Sequence, residues 1–352
     1  AGATISKVGI TSVLTDGELN ISADSTIDSL SHTGTSRINL DENTSLTLTN
    51  SFEIPVNQTM DMVGTGTGRT LKVMDFITLA GTLKISSENY TFNSGALKLK
   101  GGLLNIAEDT AFNTSINHLA SSSISVQPQK TLQYGGDGLK VGGLTLTLVG
   151  GGTIENTKNM ILDNSSSILA MNGISQISGV SVTSTLSTGK LSIGSDAVIL
   201  TYEQNESSRF DISDDSSLTI QNVFEVPQNK LLELVGSENG TLILGDKITV
   251  SGMLKINAPD TLSSGTLELK GGTLSVNENS VIESGLTHID QSSINVISGK
   301  TLKYTGNEAK VGAHELTLSG GGFIDNLNDL TLNDPDSMLA MNGIEISKVS
   351  FT

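Results

Sequence analysis

The sequence predicts an all-β protein, a right-handed parallel β-helix (β-solenoid) built from coils of about 20 residues. Three observations support this: apolar and polar residues alternate, the alternating segments are evenly spaced, and the whole pattern occurs twice. SLTLT (45–49), GTLKI (81–85) and LTLTL (144–148) alternate with period two, which is typical of strands that bury one face. No segment keeps an apolar 3.6-residue period for three turns, so we expect no helix.

The alternating segments start about 20 residues apart, which is the size of one β-solenoid coil. In the first half they start near positions 17, 36, 60, 81, 102, 123, 143 and 160. In the second half they start near positions 189, 208, 231, 252, 272, 293, 313 and 330. About eight coils are therefore expected per half, and about sixteen coils at ~4.8 Å each would extend roughly 80 Å.

A narrow core of stacked aliphatic side chains is expected inside the coils, because the chain has no Trp, four Tyr and eight Phe. Corner residues rich in Gly, Asn and Ser are suited to tight turns between the strands. The predicted core residues are Leu83, Ile85, Leu97, Leu99, Leu132 and Leu146, with Leu254, Ile256, Leu267, Leu269, Leu302 and Leu316 at the matching positions of the second half.

The second half of the chain repeats the first at an offset of about 170 residues. The clearest matches are LAMNG at 169–173 and 339–343, KTLQY at 130–134 with KTLKY at 300–304, and LKLKGG at 97–102 with LELKGG at 267–272. ISKVGIT (5–11) matches ISGVSVT (177–183) and ISKVSFT (346–352). The sequence therefore predicts a first solenoid repeat over 1–176 and a second over 177–352, which share one continuous core and come from a longer array.

A series of tandem β-sandwich domains is the alternative fold, because it would also give alternating strands and repeats. Sandwiches usually carry an aromatic core anchor and linkers marked by Pro, and this chain has no Trp and five Pro. Two of those Pro, Pro55 and Pro227, occupy matching positions. These features favour the solenoid.

The composition argues against several classes of partner. Lys and Arg together number 20 against 37 Asp and Glu, which gives a formal net charge of −17. Nucleic acids and anionic membrane surfaces require clustered basic residues, so neither is expected to bind. No run approaches the ~18 apolar residues of a membrane span, so membrane insertion is not expected. The chain has no Cys, which excludes disulfides and thiolate metal sites.

Short Gly-and-Leu phrases such as GTLKI (81–85) and GGTLSV (271–276) run through this acidic, Ser- and Thr-rich chain. In the style of its repeat, the chain resembles the β-helical passenger regions of bacterial autotransporters and filamentous-haemagglutinin-type surface adhesins. The resemblance implies an extracellular location on the bacterial cell surface. It also implies a structural, non-catalytic rod or stalk segment of a large adhesin or filament.

Neighbouring repeats of the same parent chain are the first partners expected, because stacked coils need their ends covered. Uncovered ends are expected to associate end to end, and repeated loops could bind a cell-surface or glycan receptor through many weak contacts. The segment 86–94 (SSENYTFNS), compared with the shorter 257–264 (NAPDTLSS), is the expected variable loop.

A carbohydrate-active β-helix enzyme, a polysaccharide lyase or hydrolase, is the alternative function, because such an enzyme needs two carboxylates facing one another in a cleft. The acidic residues in question are the matched pairs Glu53/Glu225, Asp75/Asp246, Glu108/Glu278 and Glu155/Asp325, and Asp41, Glu42, Asp211, Asp214 and Asp215, which follow Arg37 or Arg209. Their scattered spacing is typical of solvated corners. We therefore assign no catalytic residue and expect no enzyme, unless one groove gathers acids in a single copy.

Other polar residues give weaker indications. Tyr134 and Tyr304 are expected to pack inside the coils, and none of His32, His118, His288 and His314 has metal-ligand spacing. No cofactor or metal-ligating residue is assigned.

Calcium is the most plausible ion, because 155–164 and 325–336 are rich in Asp and Asn. Alternating Thr in 46–50 and 144–148 leaves a soluble glycan- or ice-binding solenoid as a further alternative.

Overall fold

The computed structural model describes residues 3–5, 8–11, 17–183, 189–236, 239–307, 309–326, 328, 330–332 and 334–351. These residues form strands and turns, with no helix among them. The parallel strands stack as a β-solenoid of about 14 turns with coils of roughly 22 residues. The predicted all-β solenoid is confirmed, with slightly longer and fewer coils than the sequence suggested. The tandem sandwich is wrong, because its strands would pair antiparallel.

The strands are short. Between residues 3 and 182 they are β1 (Ala3–Ile5), β2 (Val8–Thr11), β3 (Gly17–Ile21), β4 (Ser25–Ile27), β5 (Leu30–Thr33), β6 (Thr35–Leu40), β7 (Ser45–Leu48), β8 (Phe52–Ile54), β9 (Thr59–Gly64), β10 (Arg69–Val73), β11 (Phe76–Leu79), β12 (Thr82–Ile85), β13 (Tyr90–Lys100), β14 (Leu103–Ile106), β15 (Thr110–Ala120), β16 (Ser122–Val126), β17 (Thr131–Tyr134), β18 (Thr145–Val149), β19 (Thr153–Asn156), β20 (Met160–Leu162), β21 (Ile168–Asn172) and β22 (Gln176–Val182). Beyond them are β23 (Lys190–Ile193), β24 (Ala197–Gln204), β25 (Ser208–Ile212), β26 (Ser217–Ile220), β27 (Phe224–Val226), β28 (Leu231–Val235), β29 (Thr241–Leu244), β30 (Lys247–Val250), β31 (Met253–Ile256), β32 (Thr261–Ser263), β33 (Thr266–Lys270), β34 (Thr273–Val276), β35 (Ser280–Ile282), β36 (Gly285–Asp290), β37 (Ser292–Val296), β38 (Thr301–Tyr304), β39 (Ala309–Val311), β40 (Glu315–Ser319), β41 (Phe323–Asn326), β42 (Leu330–Leu332), β43 (Met338–Asn342), β44 (Glu345–Ile346) and β45 (Val349–Phe351).

The chain divides into two compact units. Unit 1 comprises Ala1–Ile161 and Ile168–Ser178, and unit 2 comprises Leu162–Ser167 and Gly179–Thr352. In unit 1, one parallel sheet, called face 1, contains β3, β6, β9, β12, β14, β16, β18 and β21. In unit 2, face 1 contains β23, β25, β28, β31, β34, β37, β40 and β43.

Two further sheets complete each coil. Face 2 of unit 1 runs through β4, β7, β10, β13, β15, β17 and β19. Face 2 of unit 2 runs through β24, β26, β29, β32, β35, β38, β41 and β44. Face 3 of unit 2 runs from β27 to β45 through β30, β33, β36, β39 and β42. In unit 1 the long strands β13 and β15 cover faces 2 and 3 with a register shift at Asn93/Ala96.

The coils differ in length, and both copies repeat nearly the same series of lengths. The length of a coil is the separation in sequence between register partners on face 1. In unit 1 these partners are, in order, Leu19–Ile38, Ile38–Met62, Met62–Ile85, Ile85–Ile106, Ile106–Val126, Ile124–Leu148 and Leu148–Met171. In unit 2 they are Leu191–Phe210, Phe210–Leu234, Leu234–Ile256, Ile256–Val276, Val276–Val296, Ile294–Leu318 and Leu318–Met341. Only the third and fourth coils differ, each being one residue shorter in unit 2.

The predicted face 1 strands lie close to where the sequence placed them, except near 160 and 330. The strands at those positions, β20 and β42, are not part of face 1, which continues instead with β21 and β43. The wide corners before Thr145 and Glu315 lengthen those coils and displace the next strand. A prediction that assumes coils of equal length cannot place these two strands.

The core consists of the inward-pointing side chains of the three faces. Alternation along β12, β14 and β31 places every second residue inside, as the period-two pattern requires. All twelve predicted core residues are buried: Leu83, Ile85, Leu97, Leu99, Leu132, Leu146, Leu254, Ile256, Leu267, Leu269, Leu302 and Leu316. Aromatic residues add a local stack, in which the rings of Phe92 and Phe112 lie 4.2 Å apart and 7° from parallel.

Side chains at the corners hold one coil to the next. The carboxylate of Asp24 accepts the backbone N–H of Ser45 at 2.8 Å, and the matching Asp196 accepts that of Ser217 at 2.9 Å. Asp109 serves Thr131 in the same way at 2.7 Å. These bonds satisfy strand-initiating N–H groups that the sheet leaves unpaired.

Candidate functional site

Four of the thirteen acidic residues singled out in the sequence form ion pairs with a Lys on another coil. Glu108 pairs with Lys130, and the matching Glu278 pairs with Lys300. Glu53 Oε1 lies 3.6 Å from Lys100 Nζ, and both side chains are about half exposed. Such pairs stabilise neighbouring coils weakly.

A cluster of charged side chains, called the polar patch, lies on face 1 of unit 2. Glu233 accepts hydrogen bonds from Arg209 Nε at 2.9 Å and from Asn257, and its carboxylate lies 3.5 Å from Lys255 Nζ. Asp211 pairs with Lys190. Strands β23, β25, β28 and β31 place these side chains in neighbouring rows, because matched positions on successive coils point the same way.

The polar patch differs from its counterpart in unit 1. Asn39 and Asp61 occupy the positions of Asp211 and Glu233, and Glu18 occupies that of Lys190. The ion pairs there are Arg37–Glu18 at 3.8 Å and Asp61–Lys84 at 3.9 Å. Each copy therefore has two acids at these matched positions, in different arrangements.

One carboxylate near the patch has a different environment. Asp260 is 1% exposed, and neither of its carboxylate oxygens accepts a hydrogen bond of normal geometry from a described residue. Burial raises the pKa of Asp260 to about 7, against a lowering by the backbone N–H of Gly240 and with a further rise from Asp211. The sequence reasoning missed Asp260.

The matched Tyr residues are structural, as expected. Tyr134 and Tyr304 are buried. The Tyr134 hydroxyl donates to the carbonyl of Asp137 and accepts the backbone N–H of Ile116 at 3.2 Å. Burial raises the pKa of Tyr134.

Among the described residues, the His side chains form no metal-binding group. His118 is half-buried with Nδ1 2.8 Å from the carbonyl oxygen of Val141, His288 is buried, and His314 is exposed. Burial lowers the pKa of both His118 and His288. The side chain of His32 lies outside the described part of the chain.

The Asn-rich segments considered for calcium use their amides within the protein. Asn156 Nδ2 donates to the carbonyl of Lys158 at 2.7 Å, and Asn326 Nδ2 donates to the carbonyls of Asn328 and Lys348, each at 2.7 Å. Residues 327, 329 and 333 of the second segment are not described. Among the described residues, no three His, Cys, Asp or Glu side chains come together in a way that could hold a metal ion.

The segment expected as a variable loop is partly strand, since β13 begins at Tyr90. Before that strand, the first copy has one residue more than the second. The alternating Thr residues 47, 49, 145 and 147 are half-buried on their sheets.

Comparison with known proteins adds no functional assignment. The chain matches no protein-family model, no curated protein and no solved structure at a significant level. Within the described residues, no helix is long and apolar enough to cross a membrane.

Proposed function

We propose that this chain is a structural, non-catalytic segment of the rod or stalk of a large secreted or cell-surface repeat adhesin or filament. The observation that carries the proposal is the repeated series of coil lengths, which agrees at five of seven steps and differs by one residue at the other two. What the two copies share is the geometry by which coils stack on one another. A spacer requires that geometry above all else.

Contacts between coils support the same reading. The Glu108–Lys130 pair recurs as Glu278–Lys300, and the bond of Asp24 to the next coil recurs at Asp196. Other outward groups, by contrast, change chemistry between the copies.

At one outward position, Lys98 Nζ lies 3.1 Å from the ring centroid of Phe76 in unit 1. The same two positions hold Glu268 and Lys247 in unit 2, paired at 3.0 Å. Either pair attracts across the coils, so the attraction is kept although the surface groups are exchanged. A receptor-binding or catalytic surface would depend on the groups themselves.

The partners we propose are neighbouring repeats of the same parent chain, further copies that associate end to end, and a cell-surface or glycan receptor bound through repeated loops. The proposed location is extracellular, on a bacterial cell surface. The net charge of −17 supports a self-repelling surface exposed to solvent.

A concatemer experiment tests the rod. Small-angle X-ray scattering would compare this chain with a tandem fusion of two such chains. About 14 additional turns at ~4.8 Å each should lengthen the particle by roughly 65–70 Å at constant cross-section. A matched control fusion lacking about half a coil at the junction interrupts the coil spacing. A fusion that grows in thickness rather than length would contradict the proposal.

Location is tested separately by immunogold electron microscopy with antibodies against this chain, combined with the mass of the labelled protein on a denaturing gel. Label along surface fibres on a chain far heavier than 36.7 kDa is the expected result. Label confined to the medium on a chain of about that mass would contradict a stalk.

A carbohydrate-active enzyme is the second candidate, favoured by the acids of the polar patch. Asp211 and Glu233 lie in unit 2 with the buried Asp260 nearby, whereas unit 1 has Asn39 and Asp61 at the first two positions. Release of reducing or unsaturated ends from acidic polysaccharides, lost in a Glu233→Gln variant, would favour it. No release from a broad substrate panel would remove it.

A further inference from the structure

A hollow on face 3 of unit 1, called the basic hollow, is lined by β13, β15 and residues 137–142 after β17. Its volume is about 430 Å³, which lies within the range of small-ligand sites. Three successive coils contribute to it, through Lys98 on β13, its register partner Asn117 on β15, and Lys140. Every residue of its lining belongs to the described part of the chain.

Two positive charges in the basic hollow are not neutralised by the chain. Lys98 Nζ lies over the Phe76 ring, and this contact orients the ammonium group but leaves its charge in place. Among the described residues, no carboxylate forms an ion pair with Lys98 or Lys140. The carboxylate in the lining belongs to Asp137, which is bound to Lys158 Nζ at 2.9 Å. That bond holds the pKa of Asp137 below its usual value.

The two free cations are placed so that both can reach one anionic group. Neighbouring strands lie ~4.8 Å apart, so two coils separate the backbones of Lys98 and Lys140 by about 10 Å. Asn117 lies on the coil between them and is exposed. The register agrees with unit 2, where the matching residues Thr287 and Lys310 are partners. Two flexible Lys side chains can therefore converge over the Asn117 amide.

A β-bulge shapes the rim of the basic hollow. The register partners Leu99–His118 and Lys100–Ala120 leave Leu119 as an extra residue, and Leu119 is 54% exposed. His118 Nδ1 lies 2.8 Å from the carbonyl oxygen of Val141, which fastens the bulge to the next coil. Bulges redirect side chains in this way beside binding sites. The rim therefore presents one apolar side chain next to the polar lining.

Unit 2 repeats the bulge but not the charge. Ile289 is the extra residue there and is 45% exposed. Glu268 takes the place of Lys98, and it is paired with Lys247 at 3.0 Å. An anion is therefore attracted to the hollow of unit 1 but meets a carboxylate at the matching place in unit 2. The net charge of −17 is screened beyond about 8 Å at physiological ionic strength, so the nearby cations dominate.

We propose that the basic hollow binds an acidic saccharide, with its carboxylate or sulfate group between Lys98 and Lys140. Sugar hydroxyls would bond to the Asn117 amide, and the C–H face of the ring would contact Leu119.

Two other kinds of ligand fit less well. A lone inorganic anion would fill only a small part of the volume. A peptide that adds a strand needs a free sheet edge, whereas β13 is paired on both sides, with β11 and β15. The site goes beyond the stalk function and does not depend on it, because it uses residues of unit 1 alone.

Methyl NMR of the unaltered chain, labelled at Leu and Ile, would test the site at pH 7. The probes are digalacturonic acid, a sulfated heparin disaccharide and neutral cellobiose. A Kd on the order of 1 mM is expected, since two cations supply few charge-assisted hydrogen bonds. An acidic probe should shift the Leu119 methyl signals and leave those of Ile289 unchanged, and cellobiose should shift neither. The acidic probe that binds identifies the anionic group as carboxylate or sulfate.

A pair of variants separates the two units. Lys140 is exposed, so Lys140→Gln should fold and should weaken binding about fivefold or more. Lys310→Gln, the matched change in unit 2, should leave the affinity unchanged. The proposal would be overturned by an unresponsive Leu119, by equal losses in the two variants, or by equal shifts with cellobiose or inorganic sulfate at the same concentration.

Discussion

Replacing Phe112 tests whether a local aromatic stack stabilises unit 1. The Phe112 ring is fully buried and stacks on Phe92 from the preceding coil at 4.2 Å. Truncation to Ala removes the ring from a closed core, so we expect a loss of about 3–5 kcal/mol, of which roughly 0.5–1.5 kcal/mol is the aromatic pairing itself. In unit 2 the matching pair is Leu262 and Ile282, which are register partners.

The matched control follows from that second pair. A Phe92→Leu/Phe112→Ile double variant introduces the residue pair of unit 2 and should cost less than half as much as Phe112→Ala, because Leu and Ile keep most of the apolar volume that Ala removes. Native-state hydrogen exchange is the suitable assay, since stacked coils need not unfold in one step. A local loss of about 3 kcal/mol should accelerate exchange of the β13 and β15 amides by about 100-fold.

The reasoning would be refuted by a Phe112→Ala variant that changes exchange less than about fivefold in β13 and β15. It would also be refuted if the double variant were as damaging as the truncation. Either result would mean that neighbouring coils, rather than the stacked rings, hold this part of unit 1.

Three further predictions concern charge and backbone. Burial lowers the pKa of His288, and His314 lowers it further, against neighbouring backbone groups that raise it. The free energy of unfolding should therefore fall as pH drops below about 6.5. His288→Gln should flatten this pH dependence in urea titrations at pH 5 and 7. Gly102→Ala should destabilise the protein by roughly 1–3 kcal/mol, because the added Cβ would lie 2.5 Å from the carbonyl oxygen of Leu79. The control is Gly101→Ala, whose Cβ would meet no atom within 4 Å but whose φ is 88°. Thermal unfolding of this control should show a cost of about 1 kcal/mol. Lys130→Met should leave the thermal unfolding midpoint nearly unchanged, since the ion pair of Lys130 is partly exposed. A large fall of that midpoint would show that the pair is a principal contact between coils.

Much of the fold follows from the sequence because every second residue of a strand is apolar and buried. Leu83 and Leu254 could be assigned to the core without structural information, and so could the start of most face 1 strands. The positions of β21 and β43 could not, because β20 and β42 before them show similar apolar residues but belong to other faces. An even spacing of strands does not predict how many residues each turn between them contains.

Asp260 was missed for a different reason. Two single-residue differences between the copies shift the match, so that Asp260 stands at the position of Tyr90 and Gly240 at that of Arg69. Without the strand register, this replacement of an Arg and a Tyr by a Gly and a buried Asp cannot be seen. A careful alignment of the two copies by their Thr residues, Thr70 with Thr241 and Thr91 with Thr261, is the signal that could have found it.

The uneven coil lengths also bear on how such a chain avoids folding errors. If a coil stacked at the position of a coil of different length, its strands would lose their register with the neighbouring coils. Slippage by one coil during folding is therefore unfavourable at almost every coil. Slippage by a whole copy is the exception, because the same series of lengths recurs there. The characteristic misfolded species of a long array is therefore expected to be a swap, in which a coil takes the place of its counterpart from another copy.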